Sequence, residues 1–296
     1  MKFANILVAT TAFGLAVGTA YAADMSNDMT LVSWGGAYQT SQQNAYTKPY
    51  MANNPGVNVV WDESSAEAVA KLRAMNEAGN VTWDLVDVVA SDAIRLCDEG
   101  LAMEIDADTD LAAAPDGKPA SEDFGDLLVS DCFIPQIVYS TTFGYRTDLV
   151  GSTPPTDICA VFDLEAYPGK RALEKRPINN MEWALLCDGV AKDKVYEVLA
   201  TPAGQEQALK KLGTIKDQTV WWSAGADTPQ LLADGEIVMG STYNGRLFSV
   251  IEEQKQPVAM LWDAQVFDLD GWIIPAGLPA DRLARVKEFV KFATVT

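Results

Sequence analysis

Strand-like apolar runs alternate with helix-patterned stretches from residue 30 to the end of the chain, and this restricts the fold more than any other feature. Residues 30–33 (TLVS) form a strand signal that runs into the turn Trp34-Gly35-Gly36 and a polar-rich helix reaching about residue 50. A second strand is expected at 57–61 (VNVVW). Ser64 to Glu67 then reads as a capping box, opening a helix with Val69, Leu72 and Met75 on one face. Leu85–Val89 (LVDVV) is the near-continuous β-branched run of a buried parallel strand. Ser91 stands as the N-cap of a short helix that Gly100 ends. Strand–helix alternation of this kind implies right-handed βαβ units and parallel sheets, so the fold class is α/β. Residues 106–125 lack periodicity and read as a surface loop. Further strands are expected at 133–140, 219–222, 236–241, 258–262 and 272–275, and helices at about 180–189, 192–200, from Thr201-Pro202, from Thr228-Pro229, and at 244–254. The last helix, at 281–292, places Leu283, Val286 and Phe289 on one face.

The N-terminus is an address. Lys2, an apolar run over residues 6–18 and Ala20-Tyr21-Ala22 form a secretory signal spanning 1–22, so a periplasmic, soluble protein is expected. Export changes how the four cysteines read, because an even count in an oxidising compartment points to disulfides. Of the three possible pairings, Cys97–Cys132 and Cys159–Cys187 are expected, since cysteines that neighbour each other in sequence fall within the same lobe. The chain contains no histidine, which removes Ser-His-Asp and Cys-His nucleophile systems and histidine-bound metals. A net charge of −19 argues against nucleic acid as a partner. Asp268 and Asp270 are the one carboxylate pair suggestive of hydrolysis, but carboxylates two apart on a strand point together and not across a substrate. No enzyme activity, metal or cofactor is expected.

The ordered set TLVSWGGAYQ, VTWDLVDVVASDAIRLCDEGLAMEID, FDLEAYPGKRAL, NNMEWALLCDGV, VWWSAGADTPQLLADGEIVMGSTYNGR and DLDGWIIPAG resembles periplasmic solute-binding proteins of ABC importers, in the spermidine/putrescine branch. The resemblance implies a two-lobed, type II-like fold in which each lobe is a mainly parallel sheet flanked by helices. Lobe 1 would comprise residues 23–140 plus 271–296 and lobe 2 residues 141–270, with crossing strands near 139–145 and 267–273 as hinge. Relatives usually carry further helices after the point where this chain stops, so lobe 1 is expected to be shortened at its C-terminus. The resemblance also implies a monomer that closes on a small organic amine and presents both lobes to an inner-membrane permease.

Candidate ligand contacts follow from strand-end position together with that resemblance. Trp34 ends the first strand, where open α/β sheets place ligands. Trp34, Trp222 and Tyr243 would offer aromatic faces to a cation; Trp221 and Trp222 alternate sides, so at most one of them faces the cleft, and Trp222 is the one favoured. Asp270 matches the aspartate that anchors an amine in polyamine binders, with Asp268 two residues earlier on the same strand face. Ser91 matches a ligand-contacting serine, although a helix N-terminus prefers anions. Where polyamine binders carry a glutamate for the far amine this chain has Asn179, and Glu182 is the nearby substitute. Arg246 instead suits a carboxylate, which keeps a zwitterionic ω-amino acid open as an alternative to a polyamine.

Overall fold

The computed structural model describes residues 27–295, so the signal-peptide reading lies outside the described residues. Eight strands form one sheet: β1 Asp28–Val32, β2 Asn58–Asp62, β3 Leu85–Val89, β4 Ile134–Arg146, β5 Arg171–Glu174, β6 Thr219–Trp222, β7 Met239–Tyr243 and β8 Val258–Ile273. Their spatial order is β2-β1-β3-β8-β4-β7-β5-β6. The outer trios are parallel, as helix-crossover connections require, whereas β8 and β4 run antiparallel to each other and to their outer neighbours. At 13 and 16 residues these two strands are long enough to serve both halves of the molecule. β3 pairs with the last residues of β8, from Val86 opposite Ile273 to Val89 opposite Asp270, and β7 pairs with the last residues of β4. Two α/β halves are therefore joined by one antiparallel ribbon.

Each half has its own core on both faces of its sheet. In the first, Met29, Leu31, Leu85 and Trp272 pack under the helix Ala280–Ala293, whose Val286, Phe289 and Val290 are buried. Phe289 meets Tyr50 and Trp272 at ring-centroid distances of 5.0 and 5.7 Å. In the second, Phe143, Trp183, Leu185 and Met239 form the larger cluster. Where the halves meet the ribbon is thinly covered, and Val138 and Phe267 are 47% and 62% exposed. Among the described residues no helix is long and apolar enough to cross a membrane.

Several local expectations are corrected. Residues 106–125 contain two short helices, Ala107–Asp110 and Ala120–Phe124, too brief to leave a periodic signature. The first is capped by Asp106, whose Oδ1 accepts from the Asp108 and Thr109 amides at 3.0 and 3.2 Å. Ser64 caps nothing; its Oγ accepts from Lys71 Nζ at 2.6 Å, and the helix Ala68–Glu77 starts through a 3₁₀ turn. Ser91 is likewise no cap, because β3 passes straight into the helix Ala90–Asp98 and leaves Ser91 exposed one position inside it. The strand expected at 236–241 is Met239–Tyr243. Residues 258–262 and 272–273 belong to the single strand β8, hidden in the sequence by its polar middle, and Ile274 and Pro275 lie just beyond its end. There Trp262 to Gln265 bulge out opposite Thr142, with Ala264 at φ 51°. The bulge is fastened to the second half, since Trp183 Nε1 donates to the Ala264 carbonyl at 2.8 Å and Asp263 accepts from the Ile158 amide at 2.9 Å.

Both disulfides form as expected, Cys97–Cys132 in the first half and Cys159–Cys187 in the second. They close separations of 35 and 28 residues. In the chain-entropy picture each contributes roughly 3–4 kcal/mol, so oxidised protein should show no titratable thiol under denaturing conditions, and reduction should lower its melting temperature markedly. Two or four reactive thiols in exported protein would contradict this.

Candidate functional site

The outer strands of both halves aim their carboxyl ends at the same cleft, the usual location of ligands in open α/β sheets. Trp34 follows β1, Val89 ends β3, Glu174 ends β5 and Tyr243 ends β7, and all four line a cavity of about 340 Å³. That volume falls at the lower end of the ~300–1,000 Å³ typical of small-molecule sites. Its floor is the ribbon, through Ile137, Val138, Tyr139, Thr141 and Asp270. Its walls are two helices, Gly36–Gln42 from the first half and Asn244–Phe248 from the second, and each continues into a wider π-type turn. Such turns recur at functional sites because they re-aim a helix face.

The first half contributes an acidic, aromatic corner. Asp270 is 4% exposed, and its Oδ1 is wholly buried without a hydrogen-bond partner, as is the neighbouring Trp34 Nε1. An orphaned buried acceptor costs about 1–3 kcal/mol, so this oxygen is primed for a donor. Burial, then the charge of Asp87, hold the Asp270 carboxyl well above the usual carboxylate range, while the Trp34 indole N–H and the Tyr38 hydroxyl, close by but short of hydrogen-bond geometry, pull the other way.

The second half contributes guanidinium groups. Arg246 is 8% exposed, and burial lowers its pKa. Its Nη2 donates across the cleft to the carbonyls of Trp34 at 3.0 Å and Gly35 at 3.3 Å, and its guanidinium lies 5.8 Å from the Tyr243 ring centroid. Among the described residues no carboxylate forms an ion pair with it. Gly36 makes this approach possible, because a Cβ there would sit 2.7 Å from Arg246 Nη1 and the backbone has φ 59°. Arg176 also lines the cleft and lies 3.6 Å from Glu174, whose carboxyl is raised by burial. Asn244 accepts from the Ser140 amide at 3.1 Å, which ties the second wall to the ribbon.

Of the residues expected from sequence, Trp34, Tyr243, Arg246 and Asp270 come together around the cavity, and Asn179 joins them with a left-handed φ of 68°. Trp222 is buried behind Tyr243, its ring centroid 6.2 Å away, and lines an adjoining hollow with Glu63 and Gly225. Asp268 and Glu182 do not line the main cavity; Asp268 lies 3.5 Å from the Tyr139 hydroxyl, and Glu182 occupies the first turn of the helix Asn180–Leu186. Ser91 is outside it as well. Sequence reasoning missed Tyr38, Tyr139, Arg176 and Asn244, all of which line the cavity. Arg176 carried a readable signal, a cation just past a strand end, but strand β5 itself went unread. Among the described residues no three His, Cys, Asp or Glu side chains group to hold a metal ion.

Comparison with known proteins agrees with this architecture. Residues 45–296 match the family described as bacterial extracellular solute-binding protein. The gamma-aminobutyric acid-binding protein of Pseudomonas aeruginosa is 35% identical over 293 residues, which is 99% of this chain and 79% of that one. The PBP MotA from A. tumefaciens B6, solved in complex with glucopine, is 30% identical with a TM-score of 0.78, covering 90% of this chain and 78% of MotA. A solved GABA receptor is 32% identical with a TM-score of 0.73, covering 90% of this chain and 77% of the receptor. The spermidine/putrescine binder PotD of Streptococcus pneumoniae, at 14% identity, is alike in fold alone. Two α/β halves on a shared ribbon, a cleft at their strand ends and these matches make the chain a two-lobed member of the bacterial extracellular solute-binding protein family.

Proposed function

We propose that this protein captures a zwitterionic ω-amino acid, with 4-aminobutyrate as the type ligand, in the periplasm and delivers it to the permease of an ABC importer. The observation that carries the reading is the opposition of charges across one cleft: Asp270 with its orphaned oxygen on one side, Arg246 without an ion-pair partner and Arg176 on the other. An ammonium group would take a charge-assisted bond from Asp270 with Trp34 and Tyr243 beside it, and a carboxylate would take the guanidinium edge. The relatives named for gamma-aminobutyric acid support the same chemistry. A polyamine would set its second ammonium against Arg176 and Arg246, with Glu174 paired to Arg176 at 3.6 Å and Glu182 outside the cavity lining, so the zwitterion is the better-supported ligand.

The lobes in this reading are residues 23–140 with 271–296 and residues 141–270, hinged on β4 and β8, with Asp270 at the boundary, paired with Val89 of the first half. The bonds from Arg246 to the Trp34 and Gly35 carbonyls bridge them, as closure on a ligand requires. Ligand released by denaturing protein purified from its native periplasm should be an ω-amino acid by mass spectrometry; recovery of putrescine or spermidine would overturn the reading. A second expectation concerns rate. The net charge of −19 steers cations, but a zwitterion feels little net force. Association of 4-aminobutyrate should therefore change little between low and physiological salt, where the Debye length is about 8 Å. A steep fall with salt would indicate a cationic ligand.

A further inference from the structure

A second carboxylate stands behind Asp270. Asp87 is the one polar residue of β3 and is fully buried with its four neighbours in that strand. It sits opposite Trp272, and Asp270 opposite Val89, so the two aspartates are diagonal neighbours on one face of adjacent strands. Every hydrogen bond given to Asp87 comes from a neutral donor. Gln42 Nε2 donates to its Oδ1 and Oδ2 at 3.1 and 2.8 Å, and the Tyr38 hydroxyl donates to Oδ1 at 3.2 Å. Ser33 Oγ donates to Gln42 Oε1 at 2.6 Å, which fixes the amide with its nitrogen toward Asp87. Tyr38 also lines the cleft beside Asp270, so one hydroxyl stands near both carboxylates.

The other groups facing the pair supply no positive charge. The titratable ones are Tyr38 and Tyr46 from the first wall and its continuation, Tyr139 from β4, Tyr243 at the end of β7 and Asp268 from β8. Burial raises all four tyrosines, which are neutral, and burial likewise raises the Asp268 carboxyl, which brings no positive charge. Arg246 directs its Nη2 to the Trp34 and Gly35 carbonyls. Among the described residues neither Asp87 nor Asp270 forms an ion pair. Two carboxylates in such a place cannot both hold charge without a cation.

We propose that Asp87 and Asp270 hold one proton between them in the ligand-free protein, and that a ligand ammonium displaces it to solvent. The ammonium keeps its own three hydrogens, the pair passes from one negative charge to two, and the displaced proton goes to bulk water. Asp87 is thereby a positioning residue that sets the charge with which Asp270 meets the ligand. The titration is in a useful range, since burial pushes Asp87 up to about 7 and pushes Asp270 up as well. The chain has no histidine, so among the described residues the groups able to titrate between pH 5.5 and 8 are carboxyls raised by burial, and the Asp87→Asn comparison separates this pair from Glu174, Glu182 and Asp268.

This rests on the ammonium-anchor reading above, and two separate arms distinguish the failures. In the first arm, calorimetry of 4-aminobutyrate binding at pH 6.5 in buffers of different ionisation enthalpy should show roughly 0.5–1 proton released per ligand. Affinity should rise with pH by up to about tenfold per unit and then level off. Asp87→Asn should lose most of that release and flatten the profile. The second arm needs no ligand. A carboxylic acid raised in the folded state gives stability that is complete below its unfolded pKa and is lost as pH rises through the folded value. The melting temperature of ligand-free protein should therefore fall from pH 5.5 to 8, and less so in Asp87→Asn. If 4-aminobutyrate does not bind, the ligand reading fails and the second arm still decides the pair. If Asp87→Asn does not fold, Tyr38→Phe takes its place; loss of that donor should move the midpoint of the melting profile to higher pH. An unchanged melting profile in the variant that folds, or binding by wild type without proton release, overturns the proposal.

Discussion

Asp270→Asn is expected to weaken 4-aminobutyrate binding by about 30-fold to several-thousand-fold, the equivalent of the roughly 2–5 kcal/mol lost when one partner of a buried charged hydrogen bond goes. The substitution keeps the shape of the side chain in a site that is 4% exposed, so the change isolates charge. The fold should not suffer. Ionisation of Asp270 is disfavoured by burial and by Asp87, and its raised pKa means that the charged form opposes folding as pH rises. The melting temperature near neutral pH should therefore hold or rise while affinity collapses. Calorimetric titration and thermal melting of the same preparation check both; affinity within twofold of wild type would remove Asp270 from the ammonium role.

Arg246→Ala carries the second large effect, about 100-fold or more on 4-aminobutyrate, from loss of a desolvated guanidinium facing the ligand carboxylate. Two contributions are mixed in that number. Arg246 also donates to the Trp34 and Gly35 carbonyls across the cleft, so its removal also takes away contacts that tie the two halves together. Butylamine separates them, having the ammonium and chain length without the carboxylate. If the carboxylate pairing dominates, Arg246→Ala should reduce butylamine binding far less than 4-aminobutyrate binding. Equal losses would assign Arg246 to closure alone. Arg246→Lys should recover part of the affinity, because the charge remains but the planar two-pronged edge does not.

Much of the fold was legible because β-strand and helix periods in this chain follow burial. The fully buried β3 read as a strand, and the expected face of Leu283, Val286 and Phe289 is the side that packs on the first core, with Leu283 only partly buried. The long ribbon strand β8 was split because its middle, around Asp263 to Gln265, is polar and bulges out of register opposite Thr142. Caps were misplaced where a strand turns directly into a helix, as at Ser91. In the candidate site, the strand-end residues Trp34 and Tyr243 were picked out from topology together with the family resemblance, and both line the cleft. Glu182 and Asp268 were put beside the ligand by spacing along the chain and do not line the cavity, because proximity in sequence says little about which wall a side chain meets. Asp87 was in plain view, a lone acid inside an apolar strand; the periodicity argument absorbed it as part of the run. Its meaning depends on Gln42 and Asp270, which lie 45 residues before it and far after it in sequence, and only the folded sheet joins them.

The measurement that bears most directly on the central claim is calorimetric titration of the wild-type protein with 4-aminobutyrate, butyrate and putrescine under one condition near neutral pH. A cleft that grips both ends of a zwitterion should bind 4-aminobutyrate about 100-fold or more tighter than either of the others, since each leaves one buried charged group of the cleft without its partner. Putrescine binding as tightly as 4-aminobutyrate, or butyrate doing so, would contradict the account.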